Sequence, residues 1–347
     1  MPQLEMSRTA ARPADRPDRV LLVRWGVLLG TVALLALCVV ASLTLGSSTI
    51  PAARVRELLL APDGSNDSYI VHGLRVPRTI IGLLVGIALG VSGAVMQTLT
   101  RNPLADPGLL GVTSGASLAV VAGAAAGVVA TPAAQLTLAA TGALVASGVV
   151  LAVGTRGGAS PIRLVLTGVA FSAACGGVIQ GLLLANPRAF DAFRYWDVGA
   201  LTRTDLPLWT CAVPVAVGLG LVVLLRRGLA DVALGDDVAA ALGTNVVLVR
   251  VGSLIALTLM CAAATATAGP IAFVGLMAPV VAGRILGPAR GWILTLSAPF
   301  GALLVLSADV LGRVLARPAE MPVGLLTAFV GAPVLLAVVL RNRAERG

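Results

Sequence analysis

The chain has 347 residues, 57% of them hydrophobic and 12% charged, with a mean hydropathy of +0.96 and a net charge of +9 at pH 7. That apolar surplus exceeds what one water-soluble core can hide, so the solvent for most of the chain is lipid. All 25 basic residues are arginine; without lysine the chain builds neither a phosphate-binding P-loop nor a Schiff base, and arginines standing singly between apolar runs do not make a nucleic-acid face.

Residues 1–19, rich in Pro, Arg, Ala and Asp, read as a disordered cytoplasmic tail. The apolar run that follows is longer than a signal-peptide core, and Leu37 before Cys38 does not suit a lipidation site. Runs rich in Leu, Val, Ala and Gly then recur at lengths that cross a hydrocarbon layer of ~30 Å as helices. They predict ten spans, near 20–45, 79–100, 109–130, 135–154, 163–185, 206–225, 247–268, 270–286, 292–308 and 322–340. The expected fold is an all-α integral membrane protein, a ten-helix polytopic bundle over 20–341 with a cytoplasmic tail at 342–347. Arginines favour the loops that an inside N-terminus makes cytoplasmic, so both termini are expected inside.

Local features refine this frame in chain order. His72, the single histidine, reads as an exposed loop residue before the second run. Gly82, Gly86 and Gly90 fall on one helix face and open a groove for another backbone; Gly123 and Gly127 repeat the spacing. Prolines break the helical pattern at Asn102–Gly108 and again from Gly269 to Pro279, as tolerated at membrane depth where backbone is packed in protein or lines a cavity. Leu234 to Asn245 is too polar at its start to enter lipid. Asp236 or Asp237 suits an N-cap there, and Gly243 a left-handed C-terminal position, which predicts a short helix. Cys38, Cys175, Cys211 and Cys261 lie in apolar runs without CxxC pairing or a nearby His, so no metal site, catalytic residue or cofactor is expected. Asp309 is placed near the outer end of its span and Glu320 in the loop beyond, in capping or loop roles.

Two sets of motifs carry a resemblance. The first is Arg75-Val76-Pro77-Arg78-Thr79, then Ser92-Gly93-Ala94-Val95-Met96-Gln97, then Arg101-Asn102-Pro103-Leu104-Ala105-Asp106-Pro107. The second is Gly269 through Pro279, Ala308-Asp309, Glu320-Met321-Pro322-Val323-Gly324 and Gly331-Ala332-Pro333. In order and spacing they resemble the permease family of iron-siderophore, haem and vitamin B12 importers. The chain departs locally, with Val280 and Val281 where the family usually shows His.

The resemblance implies two permease subunits around one path, as a homodimer or heterodimer, in the bacterial cytoplasmic membrane. It implies two cytoplasmic ATP-binding cassette ATPases and an extracytoplasmic substrate-binding protein. Arg75, Arg78 and Arg313 then fall at the outer surface, facing glutamates of the binding protein. The short helix, through Asp236, Asp237, Ala239, Ala240, Leu242 and Gly243, becomes the coupling helix seated on the ATPase. Ser92, Met96 and Gln97 are assigned to the path, and the cargo to a ferric siderophore, with haem or vitamin B12 as alternatives. An ion-coupled secondary transporter is the alternative of another class, but it would place ionisable relays near mid-membrane, and few candidates stand there.

Overall fold

The computed structural model describes residues 17–129, 131–154, 161–287 and 289–344. Most of the expected tail, and residues 345–347, lie outside the described residues. In chain order the helices are α1 (Pro17–Thr44), α2 (Ala52–Leu60), α3 (Asn66–Tyr69), α4 (Val76–Thr100), α5 (Val112–Ala125), α6 (Pro132–Gly154) and α7 (Pro161–Ala185). There follow α8 (Pro187–Asp197), α9 (Trp209–Val232), α10 (Asp236–Ala241), α11 (Val246–Ala268), α12 (Val274–Leu286), α13 (Arg290–Leu315) and α14 (Val323–Ala344). No strand occurs among the described residues.

Seven helical rods are long and apolar enough to cross a membrane: α1, α3 continued through α4, α6, α7, α9, α11 and α13. Shorter apolar helices fall at α5, α12 and α14. Together these occupy the ten expected spans, and the chain is a multi-pass membrane protein. α4 and α11 form the centre, with 78% and 61% of their apolar windows buried, whereas α1 stands at the rim with 11%. The reason lies in side-chain size. An added Cβ on Gly86 would lie 2.4 Å from Ala302 Cα, one on Gly90 2.1 Å from the Ser297 carbonyl, and one on Gly301 2.1 Å from the Gly86 carbonyl, so α4 and α13 touch backbone to backbone. Lipid supplies little hydrophobic drive between helices, and dispersion contacts at this range take its place.

Several expectations need correction. α5 stops at Ala125, so Gly127 is no second packing glycine; it takes φ +73° in the turn beyond and meets nothing within 4 Å. His72 is not an exposed loop residue but half-buried in a π-helical turn, Ile70–Arg75, with Nε2 2.9 Å from the Leu58 carbonyl. α13 runs on to Leu315, so Asp309 sits inside a helix rather than near its end. The second break is sharper than the sequence suggests: Gly269 to Phe273 is non-helical, Phe273 holds φ +68°, and Pro279 lies within α12. α8 lies outside the ten expected spans. Asn186 caps it by accepting from the Arg188 and Ala189 amides, with Pro187 in the first turn.

Candidate functional site

The candidate residues fall into three groups at different depths of the bundle. At one end, α1 stops at Thr44 and leaves carbonyls without helical partners. Arginines from two other elements take them. Arg75 Nη1 donates to the Leu43 and Thr44 carbonyls at 2.9 Å each, and its Nη2 to Ser48 at 2.6 Å. Arg313 Nη1 donates to the Ser42 and Leu45 carbonyls at 3.0 Å, and its Nη2 to Ser42 Oγ at 2.9 Å. Cations at a helix C-terminus also answer its negative dipole end. Gly46 leaves room for this arrangement, since a Cβ there would lie 2.8 Å from Arg75 Nη2.

Asp309 binds the same cluster together. Its carboxylate accepts Arg78 Nε at 3.0 Å and Nη2 at 2.8 Å, and Arg313 Nη2 at 2.9 Å, with the acid 1% exposed. Arg78 reaches on with Nη1 to Glu320 at 2.6 Å, and Glu320 also accepts from Ser47 Oγ at 3.0 Å. Glu320 lies in the loop between α13 and α14; burial acts to raise its pKa, but hydrogen bonds and charge from Arg78, with help from Ser47 and Arg313, hold it below the ordinary glutamate value. The structure thus brings Arg75, Arg78 and Arg313 to one end, yet commits Arg75 and Arg313, 4% and 2% exposed, to their own chain. Asp309, expected near the outer end of its span, is the hub; its partners lie as far as 231 residues away in sequence, a separation that carries no local signal.

In the interior, Ser92 and Met96 fill the seam of α4 against its neighbours and are fully buried, Ser92 Oγ lying 3.5 Å from the Leu257 carbonyl. Gln97 donates to the Leu276 carbonyl at 3.2 Å and opens into a cavity of about 330 Å³. Arg101 and Arg284 line the same cavity, together with Pro103 and Pro279 from the two proline-bearing segments. The three expected path residues are therefore not equivalent: one reaches open space and two are covered by their own chain.

The third group is α10. Its N-cap is Gly235 at φ +126°, not Asp236 or Asp237, which both stand in the first turn where the helix dipole favours acids. Asp236 accepts Arg250 Nη2 at 2.9 and 3.0 Å and lies 3.9 Å from Arg101 Nη2, so α10 is tied to α11 and to the end of α4. The other end closes as a Schellman motif: Thr244 N donates to Ala239 O, and Gly243 N to Ala240 O, each at 2.9 Å, with Gly243 at φ +83°. Ala239 is buried against the bundle, while Asp237, Ala240, Leu242 and Gly243 are exposed. Leu234, Val238 and Leu242, spaced by four, leave an apolar edge 66%, 46% and 61% exposed.

A closely packed bundle of apolar helices with short polar-ended helices between its spans has the build of a membrane transporter permease. Residues 34–341 match the FecCD transport family, and the chain belongs to that family. It is a permease subunit of the ATP-binding cassette importer class, not an enzyme. The chain is 44% identical over 316 residues to the ferric enterobactin transport system permease protein FepD of Escherichia coli, covering 90% of this chain and 94% of that one. It is 36% identical to the Fe(3+)-citrate import system permease protein YfmD of Bacillus subtilis, covering 87% and 90%. Identity to the hemin transport system permease protein HmuU of Yersinia pestis is also 36%, covering 88% and 93%. The fold is similar to that of a metal-chelate type ABC transporter solved in an inward-facing conformation, with a TM-score of 0.79, 24% identity and coverage of 91% of this chain and 99% of that one.

Proposed function

We propose that this chain is one of two permease subunits of an importer that moves a ferric siderophore across the bacterial cytoplasmic membrane, with both termini cytoplasmic. The observation that carries the reading is α10: a short helix tied through Asp236 in its first turn to Arg250 of α11 and to Arg101 at the end of α4, yet presenting an apolar edge. An ATPase groove covering Leu234, Val238 and Leu242 would bury that edge, and closure of the nucleotide sites would pull on Asp236, Arg250 and Arg101. Asp237, Ala240 and Gly243 border the contact, and Ala239 anchors it from within.

The same pull reaches the cavity that Gln97 shares with Arg101 and Arg284. Two guanidiniums at the inner mouth suit an anionic chelate, and Ser92 and Met96 set the wall behind it. At the outer end the arginine cluster fixes the end of α1 against α4 and α13, and the binding protein docks on the surface so held. Arg78 and Glu320 lie at its rim, with Arg75 and Arg313 beneath. Single exposed ion pairs contribute about 0–1 kcal/mol, so this surface orients docking more than it tightens it. The similarity to the ferric enterobactin permease favours a siderophore over haem or vitamin B12.

The test is reconstitution of the permease with its ATPase and binding protein in liposomes, followed by uptake of a ferric siderophore carrying labelled iron. Uptake should need both ATP and the binding protein. Uptake that follows a proton gradient and ignores ATP would overturn the class. Haem or vitamin B12 entering at the siderophore's rate or faster would overturn the cargo and leave the class standing.

A further inference from the structure

A second concavity, unrelated to the path, lies between α1, α4, α9 and α13 and measures about 670 Å³. Its body is apolar, with Val91, Leu219, Val222 and Leu294 on the walls. Its end is not: Arg226 and Arg227 line it there, both exposed, and among the described residues no ion pair or hydrogen bond reaches either guanidinium. Trp25 of α1 and Trp292 of α13 meet edge to face at 5.3 Å and also line the groove. An apolar trough ending in two uncompensated cations and a pair of indoles matches the profile of a phospholipid, acyl chains below and phosphate above.

Depth supports the match. From Trp209, 66% exposed at the start of α9, to Arg226 the helix advances about 25 Å at ~1.5 Å per residue, close to the hydrocarbon thickness. Trp209 thus falls at one interface and the arginine pair at the headgroup level of the other. Trp25 lies near the start of α1 and Trp292 near the start of α13, at that same level. The outer wall is α1, the least buried of the seven long spans, so bilayer lipid can enter from the side.

We propose that this groove is a binding site for one anionic phospholipid, with Arg226 and Arg227 holding its phosphate and the Trp25–Trp292 pair flanking its glycerol region. The lipid would fill the space between the rim helix α1 and the centre of the bundle.

The site can be read through its own tryptophans. The purified protein is reconstituted in vesicles of unlabelled phosphatidylcholine, and acyl-brominated phosphatidylglycerol or acyl-brominated phosphatidylcholine is titrated in while tryptophan emission is followed. Half-maximal quenching should need about thirtyfold less of the anionic lipid, from two arginines at headgroup depth. Arg226→Gln/Arg227→Gln should abolish the preference and Arg226→Lys/Arg227→Lys should retain most of it. Arg54→Gln/Arg56→Gln, which removes the same charge from α2, should leave it intact. Equal quenching by the two lipids, a preference that survives the 226/227 glutamines, or one lost equally in the α2 variant would each refute the site.

Discussion

Replacing Asp309 by asparagine tests the arginine cluster most directly. The carboxylate is 1% exposed and holds Arg78 through two nitrogens and Arg313 through one, all within 3.0 Å. The amide keeps the shape but loses the charge, and its NH2 group must face a guanidinium. Two cations, 11% and 2% exposed, are then left near Arg75 with Glu320 as their remaining acid. Breaking a buried pair costs about 3–5 kcal/mol, a large share of the ~5–15 kcal/mol that a domain has in total. Glu320→Gln is the matched control. Glu320 is 32% exposed, and loss of such a pair costs about 1 kcal/mol or less. Thermal melting of both purified variants in one detergent should show Asp309→Asn several degrees below wild type and Glu320→Gln close to it. Equal Tm values for the two variants would refute the view that a buried network closes the end of α1.

Three further outcomes are expected. Gly86→Val forces a branched side chain against the Ala302 backbone, so α4 and α13 must separate, and the protein should be lost on size-exclusion chromatography. Gly243→Val imposes a left-handed φ on a β-branched residue, at a cost of about 1–2 kcal/mol, and should open the end of α10; ATP hydrolysis per imported siderophore should rise while Tm of the permease moves little. Glu320 is held below its ordinary pKa, so its contribution to stability is complete above the unfolded value, near ~4.3, and is lost as pH falls through the lower folded value. The Tm difference between wild type and Glu320→Gln should therefore persist near neutrality and vanish in that acid range; a difference that grew on acidification would reverse the sign of the argument.

Much of the architecture was legible because its causes are local. Apolar runs of bilayer length located the spans, and Gly82, Gly86 and Gly90 announced a close helix contact before its partner was known. Gly243 marked the end of α10, because a left-handed residue favours glycine whatever surrounds it. The less legible parts of the site are those where a side chain chooses among distant partners. Arg75, Arg78 and Arg313 all read as outward-facing cations; α1's open carbonyls and Asp309 drew two of them inward. Ser92 and Met96 read as weakly polar path residues because their spacing says nothing about α11 lying across them.

The sequence by itself determined that this is a multi-pass helical permease of the FecCD transport family, since hydropathy, turn residues and motif order are written along the chain. Only the tertiary structure decided which arginines stay near the surface, which of the expected path residues meets open space and where a lipid-sized groove lies. Those outcomes depend on how helices far apart in sequence are brought together. In a low-dielectric bundle a charge settles wherever a counter-charge or bare carbonyl is within reach, and that is a property of the assembled fold.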